Sequence, residues 1–252
     1  MKGSFWTKLL TAVVALLATA LLVAGCEKST EPTGTGQISM TSKYSSAPAP
    51  AASIRPDFAA TGESAIDSIR ITRARFVLRD IKFKTQADSS NFRALPMILE
   101  LNLNGAVQEV SVASVPFGTY RRIEFDVHRV DTASVNGVPA AERPLYADFL
   151  AGDRYSIIIE GTIYTAGQAP RNFIYRSRVN AKQKIDLSPE LVVSEGQSSV
   201  NVTMLISSNG WFKSGNTLLD PTDSRNESEI DNNLRASIRV YKDNNKDGSK
   251  DN

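Results

Sequence analysis

The stretch Ile69-Arg70-Ile71-Thr72-Arg73-Ala74-Arg75-Phe76-Val77-Leu78-Arg79-Asp80-Ile81-Lys82-Phe83 decides the fold class. Ile69 and Ile71 share one face of a two-residue repeat; the phase then slips to Ala74, Phe76 and Leu78, and slips again to Ile81 and Phe83. A helix would return its apolar residues every three or four positions. A period of two, interrupted twice, belongs either to one long strand with two bulges or to two strands.

The same period spreads outward. Met97, Leu99, Leu101 and Leu103 alternate with Ile98, Glu100, Asn102 and Asn104, and Ile123, Phe125 and Val127 alternate with Glu124, Asp126 and His128. Further runs cover Tyr155 to Tyr164, Phe173 to Ala181 and Val200 to Ile206; Asn136-Gly137 supplies a type I′ hairpin dipeptide, and Asn209-Gly210 ends the last run. About eight strands separated by turn signals predict an all-β, antiparallel sandwich of prealbumin or immunoglobulin type over residues 65–208. Residues 209–252 read as a C-terminal extension. Ser224 and Glu227 have capping-box spacing, and Ile230, Leu234 and Ile238 follow at helical spacing, so a short helix is expected, or a helix that turns into a strand at Ser237 to Tyr241.

Residues 26–64 are poorer in pattern. Glu27 to Gln37 reads EKSTEPTGTGQ, a flexible tether; Gln37 to Thr41 is a short first strand, and Ser42 to Ser64 is an Ala-Pro-rich loop. Ahead of them, Lys2 and Lys8 flank an uncharged run from Leu9 to Gly25 that ends in Val23-Ala24-Gly25-Cys26. Residues 1–25 therefore read as a signal peptide. The lone Cys after Val-Ala-Gly resembles the lipobox of bacterial lipoproteins, which implies cleavage before Cys26, acylation of its sulfur and membrane attachment; an uncleaved anchor helix is the alternative. Glu27 rather than Asp follows, which by resemblance to diderm lipoproteins implies the outer membrane of the cell envelope.

Composition narrows the chemistry. With one His and one Cys in 252 residues, Cys/His zinc sites, disulfide scaffolds, Cys-His proteases and multi-His metal centres are excluded. Loss of Lys2 and Lys8 with the signal leaves 27 basic against 27 acidic side chains. A neutral chain lacks the basic balance of a nucleic-acid binder.

The run Ile66 to Ile71, the leucine strand, and Val115-Pro116-Phe117-Gly118-Thr119-Tyr120 leading into Arg122-Ile123-Glu124-Phe125 resemble an uncharacterised bacterial lipoprotein family. Its members carry a prealbumin-like or carbohydrate-binding-like β-sandwich of unknown function. The resemblance covers roughly residues 37 to 206 and implies a fold and a membrane address, without a reaction. The Thr-Asp-Ala-Pro-like segment frequent in such families is replaced here by Thr41-Ser42-Lys43-Tyr44.

Three constellations carry candidate chemistry. Glu124, Asp126 and His128 share one strand face and have the residue types of a carboxylate-based hydrolase acting on envelope or external glycans; an ordinary solvated strand face reads the same way. Tyr146, Phe149, Trp211 and Phe212 lie in or beside loops, where they serve either as sugar-stacking platforms or, more commonly, as buried plugs. The terminal Asp243 to Asp251 places Asp243, Asn245, Asp247 and Asp251 at positions 1, 3, 5 and 9 of a calcium-type loop, with Gly248 at position 6, and lacks the position-12 glutamate. That segment is either a weak calcium site or a solvated acidic tail. The composite expectation is a lipid-anchored, non-enzymatic binding or structural module whose partners are the membrane and a glycan or envelope protein.

Overall fold

The computed structural model describes residues 34–46, 66–85, 89–93 and 95–251. The signal segment, Cys26, the tether as far as residue 33 and the loop over 47–65 lie outside these residues. The strands are β1 (Thr35–Ser45), β2 (Ile66–Lys84), β3 (Ser89–Arg93), β4 (Met97–Glu100), β5 (Gln108–Pro116), β6 (Gly118–Val127), β7 (Ile157–Thr165), β8 (Arg171–Ser177), β9 (Ala181–Val193), β10 (Ser199–Ser207), β11 (Lys213–Ser214), β12 (Thr217–Leu218) and β13 (Ile238–Lys242). One sheet has the order β13-β10-β1-β5; the other runs β8-β7-β2-β6-β9, with β3 and β4 also paired to β2.

The decisive stretch is a single strand, β2. Its register breaks between Ile71 and Arg73 against β7 and between Arg79 and Lys82 against β6, the two places where the apolar phase slips. Asp80 takes up the second break at φ 53, a left-handed conformation that a short polar side chain tolerates. The bulges return Ala74, Phe76, Leu78, Ile81 and Phe83 to one interior, where all five are fully buried. At Val77 the pairing passes from one partner to the other: its N–H donates to Ser156 O at 2.8 Å, and its carbonyl accepts from His128 N at 3.2 Å.

The sheets enclose one apolar core, with Ile38, Met40, Val202 and Met204 on one side and Phe76, Ile123, Phe125 and Ile159 on the other. The all-β, sandwich-like class expected from the sequence is the class observed. Most pairs are antiparallel; β1 and β10 are parallel, with Ile38 beside Val200 and Met40 beside Val202. The segment Pro116-Phe117-Gly118-Thr119-Tyr120 forms the β5–β6 turn. The buried Tyr120 fixes it by donating its hydroxyl to Pro116 O at 2.8 Å.

Several local expectations are corrected. Asn136-Gly137 does not close a hairpin: Asp131 caps a short helix, Thr132–Asn136, and Gly137 follows at φ −76, whereas a type I′ turn needs positive φ. The leucine strand stops at Glu100, although Leu101 stays buried and donates its N–H to Ala74 O at 2.9 Å. The run over 173–181 is divided between β8 and the start of β9. Ser224 is not the helix cap; it lies in a 3-10 turn capped by Asp223, and the C-terminal helix spans Glu227–Ala236 with Ile230 and Leu234 buried. After it the chain becomes β13, the helix-then-strand alternative. Residues 209–251 are thus not an appendage: Trp211, Phe212, Ile230 and Leu234 belong to the same core as β2, and Gly34–Asn252 is one compact unit.

Candidate functional site

The outward side chains of β2 and β7 build a cleft because a helical insertion, residues 128–156, covers part of that face. Val77 and Ile158 point away from the main core and pack instead against Val130, Val135, Val138, Tyr146 and Phe149 of the insertion. Tyr146 anchors it by donating its hydroxyl to Pro96 O at 2.8 Å. Tyr146, Phe149, Trp211 and Phe212 are all buried, as plugs rather than exposed platforms.

Beneath the insertion, strand register gathers ionic side chains. Arg75 lies opposite Glu100 of β4, and Arg73 opposite Glu160 of β7. Arg75 is only 5% exposed. Its Nη2 donates to Asp148 Oδ2 at 2.8 Å and Glu160 Oε1 at 3.3 Å, and its guanidinium lies 5.4 Å from the centre of the Phe149 ring. Its Nε is buried without a hydrogen-bond partner. Arg73 forms a fork on Glu100, with bonds of 2.9 and 2.8 Å. That hydrogen bond holds the Glu100 carboxyl below the usual carboxylate range, so Glu100 acts as a charged acceptor.

The resulting cavity, about 310 Å³, is lined by the ionic Arg73, Arg75, Glu100 and Asp148 and by the apolar Ile98, Pro144, Leu145 and Ala147. Leu145 is 60% exposed at the rim. Forked donors, fixed carboxylate acceptors and an apolar wall can orient a hydroxyl-bearing ligand. The sequence reading missed this group. Its one local signal is the i, i+2 spacing of Arg73 and Arg75; the partners come from other strands and from the insertion.

Glu124 and Asp126 lie on another part of the sheet, each between cations. Glu124 is in register with Lys82 and Lys184, and Asp126 with Arg79 and Lys182. Glu124 Oε2 is 3.7 Å from Lys182 Nζ. His128 leaves the sheet beside them, its Nδ1 2.5 Å from Arg129 O. It lines a cavity of about 290 Å³ with residues 129–131 and 152–154, and neither carboxylate reaches that lining. Glu124 and Asp126 belong to β6, whereas His128 follows its end and lines a cavity that neither carboxylate lines.

The acidic terminus folds onto the outer face of the β1 sheet. Asp243 is fully buried and accepts from Thr203 Oγ1 at 2.5 Å, Gly248 N at 2.9 Å and Asp247 N at 3.1 Å. Asp251 accepts from Asn244 N at 2.8 Å; Asp247 accepts from Ser249 N at 2.7 Å and from Asn245 Nδ2 at 2.9 Å. Gly248 sits at φ +75, its carbonyl held by Lys43 Nζ at 3.0 Å and Tyr241 Oη at 2.8 Å. The loop is held by its own hydrogen bonds, with Asp243 and Gly248 buried and Asn245, Lys246, Asp247, Ser249 and Lys250 exposed to solvent. Among the described residues, no three His, Cys, Asp or Glu side chains cluster as a metal group.

Comparisons with protein-family models, curated proteins and solved structures return no match to this chain.

Proposed function

We propose that the chain is a lipid-anchored protein of the bacterial cell envelope, held by Cys26 at the outer membrane, whose sandwich is a non-enzymatic binding module. The cleft beneath the insertion is its ligand site, and a hydroxyl-rich envelope glycan is the ligand that suits it. The observation that carries the reading is the buried Arg75, clamped by Asp148 and Glu160 and over the Phe149 ring, in the lining of a cleft that combines ionic and apolar side chains. Such a lining presents donors and acceptors in fixed directions, which selects a ligand by its hydroxyl pattern. Glu100 stays ionised and supplies an acceptor without a transferable proton, which favours binding over acid catalysis.

The test is a glycan array and calorimetry on wild type, Glu100→Gln and Asp148→Asn. A glycan retained by wild type and bound at least about tenfold more weakly by both variants is expected, since each substitution removes a charge-assisted acceptor. Wild-type affinity in both variants removes the cleft from the reading. The address is tested separately: Cys26→Ser is expected to abolish acylation and release the chain from the outer-membrane fraction.

A further inference from the structure

The other half of the same sheet face is open, and its charges are not balanced. Strand register sets three rows across β2, β6 and β9: Lys84–Arg122–Asp186, Lys82–Glu124–Lys184 and Arg79–Asp126–Lys182. Six cations stand in these rows against three carboxylates, with Asp80 3.4 Å from Arg79 as a fourth beside them, although the chain after its signal carries equal numbers of each. Asp186 is taken by Arg122 at 2.6 Å and Glu124 is neighboured by Lys182 at 3.7 Å, whereas Lys82, Lys84 and Lys184 form no ion pair among the described residues. The alternating period of two explains the collection: Phe83, Ile123, Phe125 and Val127 go inward, so the lysines and arginines between them come out on one plane.

The chain's path says what this plane meets. Gly34, the first described residue, accepts from Phe117 N at 3.0 Å at the β5–β6 turn, and β6 reaches Arg122 four residues beyond Gly118. Seven residues lie between Cys26 and Gly34, and the eight extended steps from one to the other reach at most about 28 Å. We propose that the cationic face of β2, β6 and β9 docks on the anionic phospholipid headgroups of the membrane in which Cys26 is anchored. The inference rests on the Cys26 anchor proposed above. The lysines meet the phosphates, and mobile headgroups rearrange around the three carboxylates, which a polyanion of fixed spacing cannot do. The sandwich then lies on its open face, with the opposite sheet and its folded terminus turned from the bilayer.

The experiment uses acyl-free chain 27–252, which contains the whole compact unit, sedimented with phosphatidylcholine vesicles with or without phosphatidylglycerol. Wild type is expected to bind only the anionic vesicles and to be released by salt. Each cation near an anionic surface strengthens binding by roughly fivefold, so Lys82→Glu/Lys84→Glu/Lys184→Glu is expected to lose at least tenfold with an unchanged thermal midpoint. If that protein does not fold, the corresponding triple Gln protein is expected to show a smaller loss. Equal binding by the variants, or equal binding to neutral vesicles, overturns the proposal. Retention on a heparin column without vesicle binding reassigns the face to an anionic polysaccharide and overturns it as well. The acyl-free chain lacks Cys26, so failure here leaves the anchor to be judged by Cys26→Ser alone.

Discussion

The outer faces of the two sheets carry different polar side chains. On the β1 sheet they are short: Ser39, Thr41, Asn201 and Thr203, each under 5% exposed beneath the folded terminus. On the β2–β6–β9 face they are long and ionised, with Lys182 53% and Arg122 41% exposed. The covered face completes its hydrogen bonds internally. Ser39 Oγ donates to Asn201 Oδ1 at 2.7 Å, the Thr41 and Thr203 hydroxyls meet at 2.6 Å, and Asn201 Nδ2 donates to Asp243 O at 2.8 Å. At the fully covered positions 201 and 203 a lysine would be desolvated, whereas Lys43 at the edge of the covered patch places its head on Gly248 O at 3.0 Å and the lysines of the open face keep theirs in water. The short side chains mark the centre of the patch that the terminus covers.

The largest effect should come from the interior that both sheets share. Leu99→Ala empties a core position at 3% exposure and is expected to cost about 2 to 5 kcal/mol in a denaturant series. Glu100→Gln, on the solvated side of the same strand, should cost under about 1 kcal/mol. Equal losses at the two positions would show that the strand's inner and outer faces are not energetically distinct.

One pair of substitutions separates the two faces. Asp243→Ala strips the acceptor from Thr203, Asp247 N–H and Gly248 N–H and is expected to cost about 2 to 4 kcal/mol. Lys184→Ala on the open face should stay within about 0.5 kcal/mol. Similar values for the two would mean that the terminus does not cover its face in solution.

A smaller effect is expected at Gly248. There φ is +75, and an added Cβ would stand 2.4 Å from Lys43 Cδ and 2.7 Å from Val107 Cγ2. Both neighbours are side-chain atoms that can shift, so backbone strain dominates, and Gly248→Ala should cost about 1 to 2 kcal/mol by thermal denaturation.

The smallest effect concerns calcium at the same loop. At a few times the dissociation constant, Ca²⁺ is expected to stabilise the fold by roughly 1 kcal/mol, read as a small rise in midpoint that Asp247→Ala erases. The Ser249 N–H holds the Asp247 carboxyl below its usual range. Its contribution is therefore present above the unfolded value near 3.8 and is lost as pH falls through the lower folded value, so the calcium response should vanish on strong acidification. A flat titration to several millimolar would leave the loop a turn held by hydrogen bonds alone.

Legibility followed the range of the interaction. The two bulges of β2 could be read because a phase slip is written in neighbouring residues, and burial of Trp211 and Phe212 could be read because large aromatics rarely stay exposed. β5 and β9 escaped: β5 mixes Ser and Ala with its valines, and in β9 the apolar residues Ile185 and Leu187 lie on one side of Pro189 and Leu191 to Val193 on the other. The short helix after Asp131 was hidden behind an Asn-Gly pair that reads as a hairpin.

By itself the sequence determined the alternation that makes the chain all-β and the phase slips in its longest strand, and its Val-Ala-Gly-Cys26 motif supports the address proposed above. Tertiary structure alone decided that β1 runs parallel to β10 across some 160 residues, that Asp243 is buried under its own loop, and that Arg75 meets Asp148 and Glu160. The reason is physical. Periodicity is set by backbone geometry between adjacent residues, whereas a buried charge or a parallel pairing depends on which distant segment arrives to satisfy it, and no local pattern encodes that arrival.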